Sequence, residues 1–136
     1  MKHYEFLGKN KPVSGLFGLE LETEGKKLPI SDHLVGTKWE VVPDHSLREG
    51  LEYVSKRPLN KEEAILSIQS LKDICNGCRA IPSYSFRTST HVHVNYTDAS
   101  HNQILNTIIT SMLVETVLVN YCSPSRIGNR FCLRLI

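Results

Sequence analysis

Residues 18–22 read Gly-Leu-Glu-Leu-Glu, and this strict alternation of apolar and acidic residues predicts a β-strand. Successive side chains of a strand point to opposite faces, so Leu19 and Leu21 lie on one face of the sheet. The other face then carries a row of carboxylates: Glu20, Glu22 and Glu24. Carboxylates held so close repel one another unless a cation or a proton lies between them. The simpler alternative is a solvated outer face.

Residues 90–95 read Thr-His-Val-His-Val-Asn and predict a second strand of the same kind. Val92 and Val94 share one face, and His91 and His93 share the other. If the apolar rows of both strands pack on one core, the imidazoles and the carboxylates meet on the far side of the sheet. Oxygen-rich clusters favour Mg²⁺ or Mn²⁺, and an added imidazole favours Mn²⁺ or Zn²⁺. The two strands together predict a divalent-cation site, with a pair of exposed strand histidines as the alternative.

Size and composition are those of one ordinary globular domain. The chain has 136 residues, of which 40% are hydrophobic and 22% charged, and its formal net charge is +2. That charge is too small to indicate a nucleic-acid partner or an anionic membrane. No apolar run reaches the roughly 18 residues that span a bilayer, and residues 1–5 lack the order of a signal peptide. We therefore expect a cytoplasmic protein, a single domain over residues 1–136, with no nucleic-acid or membrane partner.

Four cysteines occur, at positions 75, 78, 122 and 132. Cys75 and Cys78 have the two-residue gap of zinc-binding and redox motifs, but no second close pair completes a zinc site. The alternative is a set of reduced, partly buried thiols in a reducing compartment. We expect reduced thiols.

The order of predicted elements is three strands, a helix, a strand and a second helix. Short links between the first strands indicate an α+β fold, with a mostly antiparallel sheet and helices packed on one face. The predicted strands cover residues 16–24, 38–42, 51–55 and 91–95, with a further short strand at 79–81.

Capping residues mark the start of both predicted helices. Asn60 caps the first helix, Glu63 completes a capping box, and the Asn-Gly pair at 76–77 ends the helix. Helical spacing places Ile65 and Ile68 on its inner face and Ser67 outside. The second helix is expected from Asp98, its cap, to about residue 121, with an apolar stripe wide enough to be buried on more than one side.

Polar residues outside the two strands form two further groups. Asp44, Ser46 and Glu52 lie in or just after a polar loop, for which an ordinary turn is the simpler interpretation. Arg126 and Arg130 can bind phosphate or carboxylate through their planar guanidinium groups, although most surface arginines are merely solvated. The chain has no phosphate-binding glycine loop and no nucleophile elbow of the G-x-S-x-G type, so no protein nucleophile is expected.

Five segments occur in an order that identifies a resemblance. They are Phe17-Gly-Leu-Glu-Leu-Glu22; Trp39 followed by Asp44-x-Ser46 and by Gly50-x-Glu52-x-x-Ser55; the helix from Lys61; Ser89-Thr-His-Val-His-Val94; and Arg126-x-x-Asn129-Arg130-Phe-Cys132. Together they resemble the amidoligase family of phages and bacteria, a branch of the carboxylate–amine ligases related to glutamine synthetase and glutamate–cysteine ligase. The match spans most of the chain.

This resemblance implies a curved, glutamine synthetase-like sheet whose concave face holds ATP and Mg²⁺ or Mn²⁺. ATP phosphorylates a carboxylate, and an amine then displaces phosphate to give an amide or peptide-like bond. The implied metal ligands are Glu20, Glu22, Glu52 and His91. The implied nucleotide and catalytic residues are His93 and Ser46 at the ATP, Arg130 with Arg126 at the transferring phosphoryl group, and Asp44 on the substrate side.

Family members continue well beyond the segment that ends at Cys132, so the resemblance also implies that this chain is the N-terminal part of such a domain. A second polypeptide, or self-association, would then complete the site. Two other functions fit the same residues. One is a metal-dependent hydrolase that activates water without ATP. The other is a non-catalytic binding or assembly module derived from the ligase fold.

Overall fold

The structure, a computed structural model, describes residues 15–122. These residues belong to two compact units, of which one is Gly15–Val94 and the other includes the described residues from Asn95 onward. The first unit contains a five-stranded sheet, one α-helix and a short 3-10 helix (Ser31–Leu34), and the described part of the second contains one long α-helix. The predicted α+β class with a mostly antiparallel sheet is confirmed.

Five strands form the sheet of the first unit. They are β1 (Phe17–Lys26), β2 (Trp39–Val42), β3 (Gly50–Ser55), β4 (Ile81–Ser83) and β5 (Ser89–Val94). β1 is central: β3 lies along one of its edges, with β2 beyond it, while β5 and then β4 lie along the other edge. Every pairing among these strands is antiparallel. The two strands that carry the acidic and imidazole rows are therefore direct neighbours.

Several strand boundaries differ from the prediction, and the largest differences, of two residues, lie at the end of β1, at both ends of β4 and at the start of β5. β1 continues through Gly25, which was expected to begin a loop, because Gly25 adopts a φ of 146° and a Cβ there would lie 2.3 Å from the carbonyl oxygen of Ile81. Only glycine permits that approach. β4 begins two residues later than expected, since Arg79 adopts a φ of 54° and turns the chain before the strand starts.

Helix α1 (Lys61–Gly77) covers one face of the sheet, and its cap is the predicted one. The Asn60 side chain accepts a hydrogen bond from the backbone N–H of Glu63 at 2.8 Å, and the Glu63 carboxylate accepts one from the N–H of Asn60 at 3.2 Å. Its inner face joins a core whose buried members are Leu19, Leu34, Trp39, Tyr53, Leu59, Ala64 and Leu71. The core thus occupies the side of the sheet opposite the carboxylate row.

The predicted inner face of α1 was wrong in part. Ser67 is buried, whereas Ile65 and Ile68 are 58% and 45% exposed. A polar contact decides which side of the helix faces the core. The indole N–H of fully buried Trp39 donates a 2.8 Å hydrogen bond to the backbone carbonyl of Ser67. A buried N–H needs an acceptor, so this turn of the helix faces the core.

Helix α2 (His101–Cys122) lies in the second unit and begins later than predicted. Its cap is Ser100 rather than Asp98: the N–H of Ser100 donates to Gln103 Oε1 at 2.8 Å, and the N–H of Gln103 donates to Ser100 Oγ at 3.4 Å. The expectation that its apolar stripe is buried on more than one side was also wrong, since Leu113 and Val117 are 78% and 68% exposed.

One helix of the described chain, over His101–Asn120, is long and apolar enough to cross a membrane. This corrects the expectation that no segment reaches that length. Only 6% of its apolar window is buried. Helices of soluble proteins share such length and composition, so these two properties assign no location.

Candidate functional site

The face of the sheet opposite the core collects the predicted polar residues. In the antiparallel register Glu20 is paired with His91, and Glu22 is paired with Glu52 on one side and Ser89 on the other. Directly paired residues project their side chains to the same face. The acidic row of β1, the histidine row of β5 and the carboxylate of β3 therefore form one cluster, which we call the polar face: Glu20, Glu22, Asp44, Ser46, Glu52, Ser89, His91 and His93.

His91 lies between two carboxylates. Its Nδ1 is 3.1 Å from Glu20 Oε2, and its Nε2 is 3.9 Å from Glu22 Oε1. Nε2 is also 2.8 Å from the hydroxyl of Ser89, which in turn donates a short hydrogen bond to Glu22. The imidazole is thus held at both nitrogens, and its side chain remains 46% exposed to solvent.

His93 contacts the same carboxylate as His91, but at its other oxygen. Its Nε2 lies 2.9 Å from Glu20 Oε1, so that each oxygen of Glu20 faces one imidazole. Gly18, which is paired with His93, makes room for this arrangement: a Cβ at Gly18 would lie 3.3 Å from the Cβ of His93. The group that approaches this glycine closely is the side chain of His93.

Two carboxyl groups of the polar face have oppositely shifted pKa values. Burial raises the pKa of Glu20, but hydrogen bonds with His93 and His91 outweigh it and leave the pKa below its ordinary value. For Glu52, burial raises the pKa, and the nearby charges of Glu20, Asp44 and Glu22 raise it further. Glu52 lacks a histidine partner of its own among the described contacts. The negative charge of the carboxylates around Glu52 is therefore not balanced by an imidazole, and a cation bound there would be stabilised.

Asp44 and Ser46 form a turn and also reach the polar face. The backbone N–H of Ser46 donates to Asp44 Oδ1 at 2.8 Å, and its hydroxyl donates to Oδ2 at 2.7 Å. These bonds lower the pKa of Asp44, with a smaller lowering from a hydrogen bond with Glu22. The segment therefore forms the turn that was predicted, and this turn places Asp44 beside Glu22, one of the candidate metal ligands.

Glu24 continues the row but plays a different part. Its side chain is buried, and its Oε1 accepts a 2.9 Å hydrogen bond from the backbone N–H of Arg48. That bond is the largest cause that lowers the pKa of Glu24, and Ser85 and Arg87 contribute to the same lowering. Glu24 therefore anchors two loops to the sheet, and the open polar face ends at Glu22.

The polar face contains the side-chain types that bind divalent cations, but among the described residues they do not form a complete set of ligands around one point. Within residues 15–120, no group of three or more His, Cys, Asp or Glu side chains is arranged to hold a metal ion. The donor chemistry nevertheless fits, because carboxylates of Glu20, Glu22 and Glu52 and the imidazole of His91 converge in a mutually repelling acidic cluster. Arg126 and Arg130, the expected phosphoryl ligands, lie outside the described residues.

Ser89 is the residue of this face that sequence reasoning undervalued. Its hydroxyl contacts both His91 and Glu22, whereas the neighbouring Thr90 is paired with Leu21 and lies on the opposite face. The sequence does place Ser89 on this face, because Ser89, His91 and His93 alternate along one strand.

The cysteines Cys75 and Cys78 are free and partly buried. Burial raises the pKa of Cys75, and the nearby Cys78 raises it further.

Comparisons of the chain with protein-family models, with curated proteins and with solved structures find no match.

Proposed function

We propose that the polar face is the metal and ATP site of a carboxylate–amine ligase of the amidoligase type. The observation that carries the proposal is that Glu20 and Glu22 of β1 lie between His91 on one neighbouring strand and Glu52 on the other, on an open face of the sheet. The raised pKa of Glu52 indicates that this cluster favours added positive charge. The five-segment resemblance supports the same assignment, as does the absence of a nucleophile motif from the sequence.

In this proposal Glu20, Glu22, Glu52 and His91 would hold Mg²⁺ or Mn²⁺. The bound metal would supply charge neutralisation for the phosphates of ATP. His93 and Ser46 lie at the border of the same cluster and would contact the nucleotide, while Asp44 would face the substrate. Arg130 and Arg126 complete the set on the strength of the resemblance.

The reaction has two transfers. A substrate carboxylate oxygen attacks the γ-phosphorus of ATP, ADP leaves, and an acyl phosphate forms. An amine then attacks the acyl carbon, phosphate leaves, and an amide bond forms. Binding both partners on one face supplies proximity, which is a large part of the rate enhancement in such reactions. A curved sheet of the glutamine synthetase type and a cytoplasmic location, where ATP is abundant, belong to the same proposal.

The test is ADP release in the presence of Mg²⁺ or Mn²⁺, ATP, a carboxylate library and an amine library. We expect ADP release beyond one equivalent per chain only when metal, carboxylate and amine are all present, and we expect this rate to fall at least 100-fold in Glu20→Gln. The matched control is Glu40→Gln, which removes an exposed carboxylate from β2 on the same side of the sheet. ADP formation that is unaffected by Glu20→Gln would refute the assignment. Metal-dependent phosphate-ester hydrolysis without nucleotide would identify a hydrolase instead.

A further inference from the structure

The outer edge of strand β5, which we call the open edge, carries an exposed apolar row. β5 pairs with β1 on one side, and no strand within residues 15–122 pairs with it on the other. Val92 and Val94 are paired with Leu19 and Phe17 and therefore lie on the core side of the sheet, yet they are 56% and 57% exposed. An unpaired edge beside exposed apolar side chains is a template for a further strand.

The backbone of β1 directs alternate residues to its two neighbouring strands. The N–H of Leu19 donates to Ser55 Oγ at 3.0 Å, and the N–H of Gly25 donates to the carbonyl of Glu49 at 2.9 Å. Both acceptors lie in β3 or directly next to it. Along an antiparallel ladder the direction of the backbone groups alternates from residue to residue. The odd-numbered residues of β1 therefore face β3, and the even-numbered residues face β5.

The same alternation determines which backbone groups of β5 point outward. Three residues of β5 are paired with even-numbered residues of β1 and exchange hydrogen bonds with them: Ser89, His91 and His93. The N–H and C=O groups of the other three residues point to the open edge: Thr90, Val92 and Val94. Within the described part of the chain these groups have no partner.

The opposite edge of the sheet, formed by β2, is protected. β2 has only four residues, lies between Lys38 and Pro43, and has the 3-10 helix Ser31–Leu34 against it. Short strands, lysine, proline and a covering element are the means by which proteins block strand edges. β5 has six residues, none of which is Lys, Arg, Asp, Glu or Pro. Of these two edges, the open edge of β5 is therefore the one that is suited to pairing.

We propose that two copies of this chain pair antiparallel through β5, about a two-fold axis at Val92. In this register Val92 lies opposite Val92 of the second copy, and Thr90 of each copy lies opposite Val94 of the other. Each of these pairs exchanges two N–H···O bonds, so that every outward backbone group of Thr90, Val92 and Val94 gains a partner. A register shifted by two residues leaves the groups of Thr90 without a partner in β5.

The strand is complementary to itself, and this property selects a second copy as the partner. In the proposed register Val92 packs against its counterpart, and each Val94 packs against a threonine, so the exposed apolar row is covered. A two-fold axis makes both halves of such an interface identical. Because directly paired residues share a face, the polar faces of both copies lie on the same side of the joined sheet.

This interface does not rest on the ligase proposal. It uses outward backbone groups and side chains of the core side, which the proposed metal site does not use. We therefore expect it to form in EDTA and without ATP. Loss of the interface and loss of the ligase activity can be observed separately.

The experiment is sedimentation equilibrium of the full chain in EDTA, with a charge exchange at the axis. We expect a concentration-dependent dimer of twice the chain mass of 15.4 kDa. Val92→Lys alone and Val92→Glu alone should each raise the dissociation constant by roughly 100-fold, since like charges meet at the axis. An equimolar mixture of the two variants should dimerise again. The matched control is Ile65→Lys, whose side chain on α1 is 58% exposed in the wild type and which should dimerise like the wild type.

The outcomes that would overturn the proposal are distinct. One is a wild type that remains monomeric at about 1 mM, the weak end of specific affinities. Others are a dimer that folded Val92→Lys leaves intact, a mixture of the two folded Val92 variants that stays monomeric, and a dimer that Ile65→Lys disrupts instead. Circular dichroism establishes that each variant is folded.

Hydrogen exchange of the wild type needs no variant. The amides of Thr90, Val92 and Val94 should exchange more slowly at high than at low protein concentration, whereas the amides of β2 (Trp39–Val42) should not change. Exchange at the three β5 amides that does not depend on concentration would overturn the proposal even if no variant folds.

Discussion

Replacement of Glu52 by glutamine should stabilise the metal-free protein. Glu52 is partly buried and is paired directly with Glu22, with Glu20 and Asp44 also raising its pKa. Glutamine keeps the shape of the side chain and removes the charge. Wild-type protein keeps this repulsion because, in our account, the carboxylate is needed for metal binding.

The expected gain follows from the geometry. Like charges on directly paired strand residues destabilise a sheet by roughly 0.2 to 1 kcal/mol per pair. Glu20 is already compensated by His91 and His93, and solvent screens the open face. We therefore expect a gain of about 1 kcal/mol in the free energy of unfolding, which corresponds to a rise of roughly 3 to 6 °C in Tm for a chain of this size.

The gain must depend on pH with a definite sign. The pKa of Glu52 in the folded protein lies above its ordinary value of 4.5. The folded state therefore binds the proton more tightly than the unfolded state, and the wild type loses stability relative to the variant as pH rises from 4.5 through the folded pKa. Below pH 4.5 the two proteins should be almost equally stable. Above the folded pKa the full difference should be present.

Urea unfolding at a series of pH values from 4 to 8, in EDTA, measures this difference. The control is Glu40→Gln, in which the lost carboxylate is exposed and lies on the edge strand β2. An equal gain in Glu40→Gln would mean that overall charge, rather than the polar face, is responsible. A Glu52→Gln protein that is less stable than wild type at pH 7 would refute the repulsion on which the metal proposal rests.

Two stability predictions test the framework that carries the site. Asn60→Ala should cost about 1 kcal/mol of unfolding free energy, because the cap at the N–H of Glu63 is lost, whereas Asn60→Asp should retain most of it. Tyr53→Phe should cost about 1 to 2 kcal/mol, because the buried hydroxyl of Tyr53 donates a 3.0 Å hydrogen bond to the carbonyl of Pro29, which would lose its partner. Chemical denaturation measures both. A stability within about 0.3 kcal/mol of wild type for Asn60→Ala or for Tyr53→Phe would contradict the corresponding contact.

Local alternation was enough to predict the two faces of β1 and β5. Leu19 is buried, and Glu20, Glu22, His91 and His93 lie together on the opposite face. The register between β1 and β5 could not be predicted from the local sequence, because the pairing of Glu20 with His91 joins residues 71 positions apart. Only that register places the His91 imidazole between two carboxylates, whereas its contact with Ser89 lies within one strand.

The helices were harder to predict where polar contacts override apolar spacing. Ile65, Leu66 and Ile68 of α1 are all exposed, because apolar residues occur on more than one side and the indole of Trp39 selects the side of Ser67. In α2 the long apolar run indicated burial, but apolar content alone does not specify what covers a helix. The cap was assigned to Asp98, whereas the reciprocal hydrogen bonds of Ser100 and Gln103 begin the helix.

The measurement that tests the central claim most directly is calorimetric titration of Mn²⁺, then ATP, into the full chain and into Glu20→Gln/Glu22→Gln. Our account predicts that Mn²⁺ binds the wild type, that ATP binds only with the metal present, and that both are lost in the double variant while Glu40→Gln retains them. Equal Mn²⁺ and ATP binding by the wild type and the double variant, or no binding by the folded wild type, would contradict the account.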